Sequence, residues 1–81
     1  MKVELGKWYV TRDGMHHVRI ISLIGLWSKK HPVVGECHEM RGRKKIVSEG
    51  LFQKYEHWTK DGIYLAPGSE SGLDLDREIE K

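Results

Sequence analysis

The stretch that decides the fold is "WYVTRDGMHHVRII", residues 8–21. It places two runs of strand-forming aromatic and β-branched residues on either side of Asp13-Gly14. This dipeptide has the turn chemistry of a β-hairpin, because glycine accepts a positive φ at little steric cost. The stretch therefore predicts a hairpin with strands at residues 7–11 and 15–23.

The same turn sequence occurs again in "HWTKDGIYLAPG", residues 57–68. Thr-Arg-Asp-Gly at residues 11–14 and Thr-Lys-Asp-Gly at residues 59–62 both follow aromatic residues and precede apolar ones. The repeat predicts a second hairpin, because the same residue order surrounds the same turn. Its strands are expected at residues 55–59 and 63–66.

The segment between the two repeats is expected to be mostly strand. Residues 24–32 mix apolar, basic and turn residues and predict a long loop, which a strand at residues 33–40 follows. Residues 41–43, Arg-Gly-Arg, predict a turn into a fourth strand at residues 44–48. Residues 50–58 stay open between helix and strand, because their apolar residues lie at near-helical spacing while their aromatic residues favour strand.

Five or six short strands separated by turn residues predict a mainly-β chain. At 81 residues the expected fold is a small, strongly bent antiparallel sheet or barrel, SH3-like or OB-like, because closure removes exposed sheet edges. We expect residues 1–68 to form this barrel-like domain and residues 69–81 to form an acidic C-terminal tail that is partly docked. The apolar residues of the tail are expected to dock as a final strand, or as a short helix capped by Asp74.

Composition points to a soluble protein of a reducing compartment. The single cysteine excludes an intramolecular disulfide, which fits the cytoplasm. The N-terminal residues include charges where a signal peptide needs an apolar stretch, and no apolar run approaches the roughly 20 residues of a membrane span. We therefore expect a cytoplasmic protein with no membrane partner.

Charge is distributed unevenly along the chain. Residues 1–60 contain twelve Lys or Arg and six Asp or Glu, a net charge of +6, whereas residues 61–81 contain two and six, a net charge of −4. A basic body favours an anionic partner. The alternative is that the acidic tail folds back and neutralises the body.

Two basic clusters form the candidate binding site, one at the predicted hairpin tip and one beside an indole in the long loop. The predicted binding residues are Trp27, Lys29, Lys30, Arg41, Arg43, Lys44 and Lys45. Lysine and arginine neutralise phosphates, and an exposed indole stacks on a base or a ligand ring. The alternative is a solvated turn whose lysines keep sheet edges from pairing with other chains.

Five aromatic residues surround the two turns. Alternation along strands predicts that about half of them are buried in the core. The remainder either cap that core or form a shallow groove of the kind in which SH3-like barrels bind peptides. The five are Trp8, Tyr9, Tyr55, Trp58 and Tyr64.

The histidines and the cysteine give little support to a metal or catalytic site. None of the five histidines or Cys37 occurs in a paired spacing that is typical of zinc ligands. Cys37 and His38 are neighbours in a predicted strand, so their side chains point to opposite faces. We therefore predict no catalytic residue, metal or cofactor, with a small metal-dependent hydrolase as the enzymatic alternative.

Five segments together resemble small proteins encoded by tailed phages and prophages. They are "YVTRDG", "VRII", "HPVVGE", "HWTKDGIYL" and "GSESGLDLD", and the resemblance spans about residues 6–76. The chain departs from the pattern at Gly72, where the phage proteins have proline, and at residues 24–30. The resemblance implies a phage or prophage origin, a small β-barrel-like fold and a role at the phage–host boundary, and it supplies no catalytic residues.

These observations favour a non-enzymatic phage accessory module that binds a host protein or a small anionic molecule in the host cytoplasm. Such a module would serve host takeover or anti-defence. The alternative is a nucleic-acid-binding β-barrel that uses the basic hairpin tip and Trp27. A homodimer is a further expectation, since small sheet proteins gain stability by pairing.

Overall fold

The computed structural model describes residues 2–26, 28–39, 51–65 and 70–79. The five strands are β1 (Trp8–Thr11), β2 (His16–Ser22), β3 (Val33–Glu39), β4 (Leu51–Trp58) and β5 (Leu75–Ile79). They form one antiparallel sheet in the order β4-β3-β2-β1-β5. The first four strands follow one another as a meander, and the last returns to pair with the first. The prediction of a small antiparallel β-sheet is confirmed.

The sheet is strongly bent. Register shifts interrupt the pairing between Val10 and Thr11, between Ile20 and Ser22, and between Cys37 and His38. Such irregularities bend the strands that carry them and increase their twist.

The bend brings together the two strands at opposite edges of the sheet. The indole Nε1 of Trp58, the last residue of β4, donates a hydrogen bond of 2.8 Å to the carbonyl oxygen of Leu73. Close by, the Leu75 N–H donates to the carbonyl oxygen of Gly62 at 2.9 Å. The sheet therefore curls on itself in the manner of a small barrel.

Alternation along the strands places a single core on the concave face. Trp58 and Tyr9 are its largest members, and both are fully buried. The β3 residue beside Trp58 is Gly35, where a Cβ atom would lie 2.9 Å from Trp58 Cζ3, so the indole occupies space that any side chain would fill. The core consists of Val3, Tyr9, Val18, Ile20, Val33, Cys37, Trp58 and Leu75.

The choice between helix and strand that the sequence left open for residues 50–58 is decided for strand, because β4 covers Leu51–Trp58. The strand expected at residues 63–66 does not form over residues 63–65. Ile63 still bonds to Thr59, whose N–H donates to the Ile63 carbonyl oxygen at 2.9 Å, but the next N–H, that of Tyr64, donates to Asp74 at 2.8 Å. The turn and strand predicted at residues 41–48 lie outside the described residues.

The acidic end of the chain contributes a strand. Leu75–Ile79 pairs with β1, so the strand alternative for these residues is confirmed over the helical one. Asp74 does not cap a helix. It is buried and precedes β5, where its carboxylate binds backbone N–H groups. In the described part of the chain, no helix has the length and hydrophobicity needed to span a membrane.

Candidate binding groove

An open groove of about 640 Å³ lies beside β4, between the β2–β3 loop and the segment that comes after residues 59–62. We call it the β4 groove. Its walls combine aromatic rings, two imidazoles, one lysine and one carboxylate. The lining residues are Ser28, Lys30, His31, Tyr55, Glu56, His57, Tyr64 and Leu65.

One wall exists because of the way the chain leaves residues 59–62, which we call turn two. The turn closes with a hydrogen bond of 2.9 Å from the Gly62 N–H to the Thr59 carbonyl oxygen, and Gly62 has a φ of +85°. The next residues do not return along β4. Instead, the buried carboxylate of Asp74 accepts the Tyr64 N–H, which turns Tyr64 and Leu65 toward the groove.

The opposite wall is joined to this segment by His31. Its Nε2 lies 2.9 Å from the carbonyl oxygen of Leu65. A carbonyl oxygen only accepts hydrogen bonds, so Nε2 carries the proton and Nδ1 is left as the second polar atom of the ring. The contact links the β2–β3 loop to the segment after turn two across 34 residues of sequence.

Glu56 lines the groove, and its carboxylate is already paired with the ammonium group of Lys54. Glu56 accepts the Tyr64 O–H at 3.0 Å on Oε1 and the Lys54 ammonium at 2.9 Å on Oε2. Burial, the hydrogen bond to Glu56 and the charge of Glu56 all raise the pKa of Tyr64 above its ordinary value. The hydrogen bond to Glu56, followed by the charge of Glu56, raises the pKa of Lys54. At neutral pH the phenol therefore stays a donor and Lys54 stays charged.

Lys30 is the lysine among the residues that line the groove. Its side chain is exposed, and among the described residues no carboxylate lies within ion-pair distance of it. The loop around it is shaped locally, because the Lys30 N–H donates to Ser28 Oγ at 3.2 Å. An anion that enters the groove would meet this ammonium without first displacing a carboxylate of the described chain.

The structure locates only part of the predicted binding site. Lys29 and Lys30 lie in the β2–β3 loop and are exposed, and Lys30 lines the β4 groove. The remaining predicted binding residues fall outside the described residues. They are Trp27, Arg41, Arg43, Lys44 and Lys45.

The aromatic residues divide between core and surface as alternation predicts. Tyr9 and Trp58 are core residues, whereas Tyr55 and Tyr64 line the β4 groove. Trp8 lies on the outer face of the sheet, with its ring centroid 5.1 Å from that of His38. Tyr64 also packs against the core, so the same ring caps the core and lines the groove, and this wall is built without the predicted second hairpin.

The outer face around Trp8 holds a second polar cluster, but its charges are matched internally. Arg19 pairs with Glu36 at 2.9 Å and lies over the Trp8 ring at 6.0 Å. Glu36 also lies 3.5 Å from His38 Nε2. Because the cation and the carboxylate already bind each other, this face offers an anion less than the β4 groove does.

Cys37 is not placed for chemistry. It is fully buried in the core, and burial raises the pKa of its thiol to about 12, with the charge of Glu56 acting in the same direction. A thiolate is the reactive form of cysteine, so Cys37 is inert near neutral pH. Among the residues that the structure describes, no group of three or more His, Cys, Asp and Glu side chains could hold a metal ion.

Sequence patterns did not identify Asp74, His31 and Leu65 as builders of the groove. Asp74 is 10 residues from Tyr64 and His31 is 34 residues from Leu65, so no local spacing connects them. One signal was present in the sequence. An aspartate between two leucines, in "GLDLD", is placed where a strand approaches the core, and a carboxylate buried there requires backbone donors.

Comparisons with protein-family models, with curated proteins and with solved structures find no match to this chain. The likeness to phage proteins therefore stays a prediction. The fold and the groove define the class to which the chain belongs. It is a small, curled antiparallel β domain with an open groove beside β4, and one exposed lysine lines that groove.

Proposed function

We propose that the protein is a non-enzymatic binding module that takes an anionic ligand in the β4 groove. The ligand is a host protein or a small anionic molecule, and the setting is phage or prophage takeover of a bacterial host. The sequence resemblance supports the setting. The groove supports the anionic ligand, and the observation that carries this proposal is Lys30, a cation without a carboxylate partner among the described residues, beside exposed aromatic surface.

The groove is prepared to bind before a ligand arrives. The His31 contact with Leu65 and the Tyr64 contact with Glu56 hold both walls in place. Binding groups that are already fixed lose less conformational freedom when the ligand binds, which favours affinity. Tyr55, which is 55% exposed, adds an aromatic face against which a ring or an aliphatic group can pack.

Thermal unfolding in a panel of ligands tests the proposal. The panel holds inorganic phosphate, citrate, nucleoside monophosphates, an Asp/Glu-rich octapeptide and a single-stranded oligonucleotide, with neutral nucleosides and sugars as controls. At least one small anion or the acidic peptide is expected to raise the Tm, because a ligand that binds only the folded state stabilises it. The absence of any anion-specific rise would refute the proposal.

Two neighbouring lysines provide a matched pair of variants. Lys30→Gln is expected to abolish the rise in Tm, and Lys29→Gln is expected to preserve it, because only Lys30 lines the groove. If both variants lost the rise in Tm equally, the anion would be attracted by the overall charge of the loop, which would argue against binding in the groove. Stabilisation by the oligonucleotide alone, falling steeply with salt, would instead support the nucleic-acid alternative.

A further inference from the structure

Two aliphatic side chains project into solvent from the loop that forms one wall of the β4 groove. Leu26 is 100% exposed and Ile24 is 82% exposed, the highest values among the large hydrophobic residues described. We call this pair the apolar tip. Contiguous exposed apolar surface on a small protein commonly marks an interaction site.

The apolar tip is held outward by a defined backbone. The Gly25 N–H donates to the Pro32 carbonyl oxygen at 2.7 Å, which closes the loop at its base. A Cβ atom at Gly25 would lie 2.6 Å from Val34 Cγ2, so the backbone between the two exposed residues packs directly on β3. The Ile24 N–H also donates to Ser22 Oγ at 3.2 Å. The exposure of Ile24 and Leu26 is therefore a feature of an anchored loop.

The apolar tip and the β4 groove are close neighbours. Leu26 is two residues from Ser28, a lining residue of the groove, so their Cα atoms are at most about 7 Å apart. Lys29 and Lys30 come next in the same loop, both exposed and both without a carboxylate partner in the described part of the chain. Aliphatic and cationic surface thus adjoin the groove in one short loop.

We propose that the ligand of the β4 groove is an extended segment of a partner protein in which acidic side chains lie beside aliphatic ones. This inference rests on the proposed function and specifies its ligand. Acidic side chains match Lys30, and aliphatic side chains cover Ile24 and Leu26. The backbone of the segment lies along the groove, where Tyr64 and His31 present fixed polar groups.

The length of the contact favours a polypeptide. A ligand that reaches from Tyr55 to His57 along β4 spans about 7 Å, since a strand rises about 3.3 Å per residue. Reaching from Ser28 to Leu26 extends this contact by at most about 7 Å, and four or five extended residues cover the combined length. A membrane surface would contact the apolar tip and the lysines, and it would leave the fixed polar groups of the groove unused.

Selection from a random dodecapeptide display library against the full chain tests the proposal. The enriched peptides are expected to combine Asp or Glu with Leu, Ile or Phe. A synthetic copy of an enriched peptide is then titrated by fluorescence anisotropy against the wild type, an Ile24→Ser/Leu26→Ser variant and Lys30→Gln. Both variants are expected to bind about tenfold more weakly, because each removes a central contact.

A Leu5→Ser/Met15→Ser variant is the matched control, since it also replaces two exposed apolar residues, 60% and 56% exposed, that are not part of the β2–β3 loop. It is expected to bind as the wild type does. If Lys30→Gln weakens binding and the apolar-tip variant does not, the extended ligand is refuted while the anion-binding groove stands. If neither variant weakens binding, both proposals fail. Enriched peptides without acidic and aliphatic residues would also overturn the inference.

A membrane is the competing occupant of the apolar tip. Vesicles of phosphatidylserine and phosphatidylcholine are expected not to sediment the protein. Sedimentation that the Ile24→Ser/Leu26→Ser variant abolishes, with no peptide enriched in the selection, would overturn the peptide inference in favour of a lipid surface.

Discussion

Residues 11–14, which we call turn one, and turn two at residues 59–62 share a Thr-basic-Asp-Gly pattern and the same closing hydrogen bond, but they lead to different structures. In each, the glycine N–H donates to the threonine carbonyl oxygen at 2.9 Å, and the glycine has a positive φ, +72° in turn one and +85° in turn two. Turn one passes directly into β2. Turn two leads to a segment that leaves the sheet and builds a wall of the β4 groove.

The surroundings of the two glycines account for the difference. No atom would lie within 4 Å of a Cβ at Gly14, whereas a Cβ at Gly62 would lie 3.1 Å from Leu75 Cβ and 3.5 Å from Val3 Cγ2. The carbonyl oxygen of Gly62 also accepts the Leu75 N–H. Turn two therefore packs against the start of β5, where the sheet closes on itself, and the residue Tyr64 after the turn bonds to Asp74 just before β5.

The segment just before β5 contacts both turns. The Arg12 N–H donates to the Asp74 carbonyl oxygen at 2.7 Å, and the Asp13 N–H donates to the Gly72 carbonyl oxygen at 3.0 Å. The Asp74 carboxylate meanwhile accepts the N–H groups of Tyr64 and Ser71. A local motif thus determines the turn, and a contact with a distant segment determines the path of the chain beyond the turn.

The largest loss of stability is expected when the Asp74 carboxylate is removed. Asp74→Ala leaves the backbone N–H groups of Tyr64 and Ser71 without their acceptor, which we expect to lower the free energy of unfolding by about 2–4 kcal/mol. Asp74→Asn keeps one acceptor oxygen and is expected to lose less. Urea unfolding measures both variants. Asp76→Ala, at an exposed neighbouring position, is the control and is expected to stay within about 0.5 kcal/mol of the wild type.

The next effect separates the two glycines. Gly14→Ala is expected to cost about 1–2 kcal/mol, because alanine resists a positive φ. Gly62→Ala adds a close contact with Leu75 to the same backbone cost, so we expect about 2–3 kcal/mol from strain and overpacking. Urea midpoints of the two variants decide the comparison. Equal losses of stability in the two variants would show that the packing around Gly62 adds no cost to that of the positive φ.

The smallest expected effect concerns the aspartates of the turns. Burial alone would raise the pKa of Asp13, but hydrogen bonds from the Thr11 hydroxyl at 2.6 Å and the Met15 N–H at 2.9 Å outweigh it and hold that pKa below its ordinary value. The ionised form therefore stabilises the fold above the unfolded pKa of about 3.9, and this contribution is lost as pH falls through the lower folded pKa.

Stability measured from pH 7 down to pH 2 tests this assignment. Asp13→Asn is expected to have a lower free energy of unfolding than the wild type. This difference is expected to be constant above about pH 5 and to shrink as the solution is acidified below the unfolded pKa of about 3.9. Asp61→Asn is the matched control from turn two, where the side chain is exposed and accepts no hydrogen bond from the described residues. A larger deficit in Asp61→Asn at neutral pH would contradict the assignment.

Sequence reasoning predicted the elements that local residues specify. Trp8–Thr11, His16–Ser22 and Val33–Glu39 lie within predicted strands, because each contains β-branched residues that favour strand locally. The predictions fail where contacts with distant residues determine the path of the backbone. Residues 63–65 have strand-like composition, but Asp74 and Leu75 bind the backbone around them.

The candidate site was predictable only in part. Lys30 could be proposed from charge and Tyr55 from its place in an aromatic set, since both properties are visible along the chain. That His31 meets Leu65, and that Tyr64 meets Glu56, is a consequence of the curl of the sheet. The groove is thus a product of topology, which the basic clusters in the sequence do not reveal.

An NMR titration of the ¹⁵N-labelled protein tests the central claim that turn two, unlike turn one, serves a binding groove. The probe is the small anion or acidic peptide that raises the Tm most in the ligand panel. We predict chemical-shift changes concentrated at Lys30, His31, Tyr64 and Leu65, with residues 11–14 of turn one unchanged. Changes centred on turn one, or on Trp8 and Arg19 of the outer face, would contradict the claim.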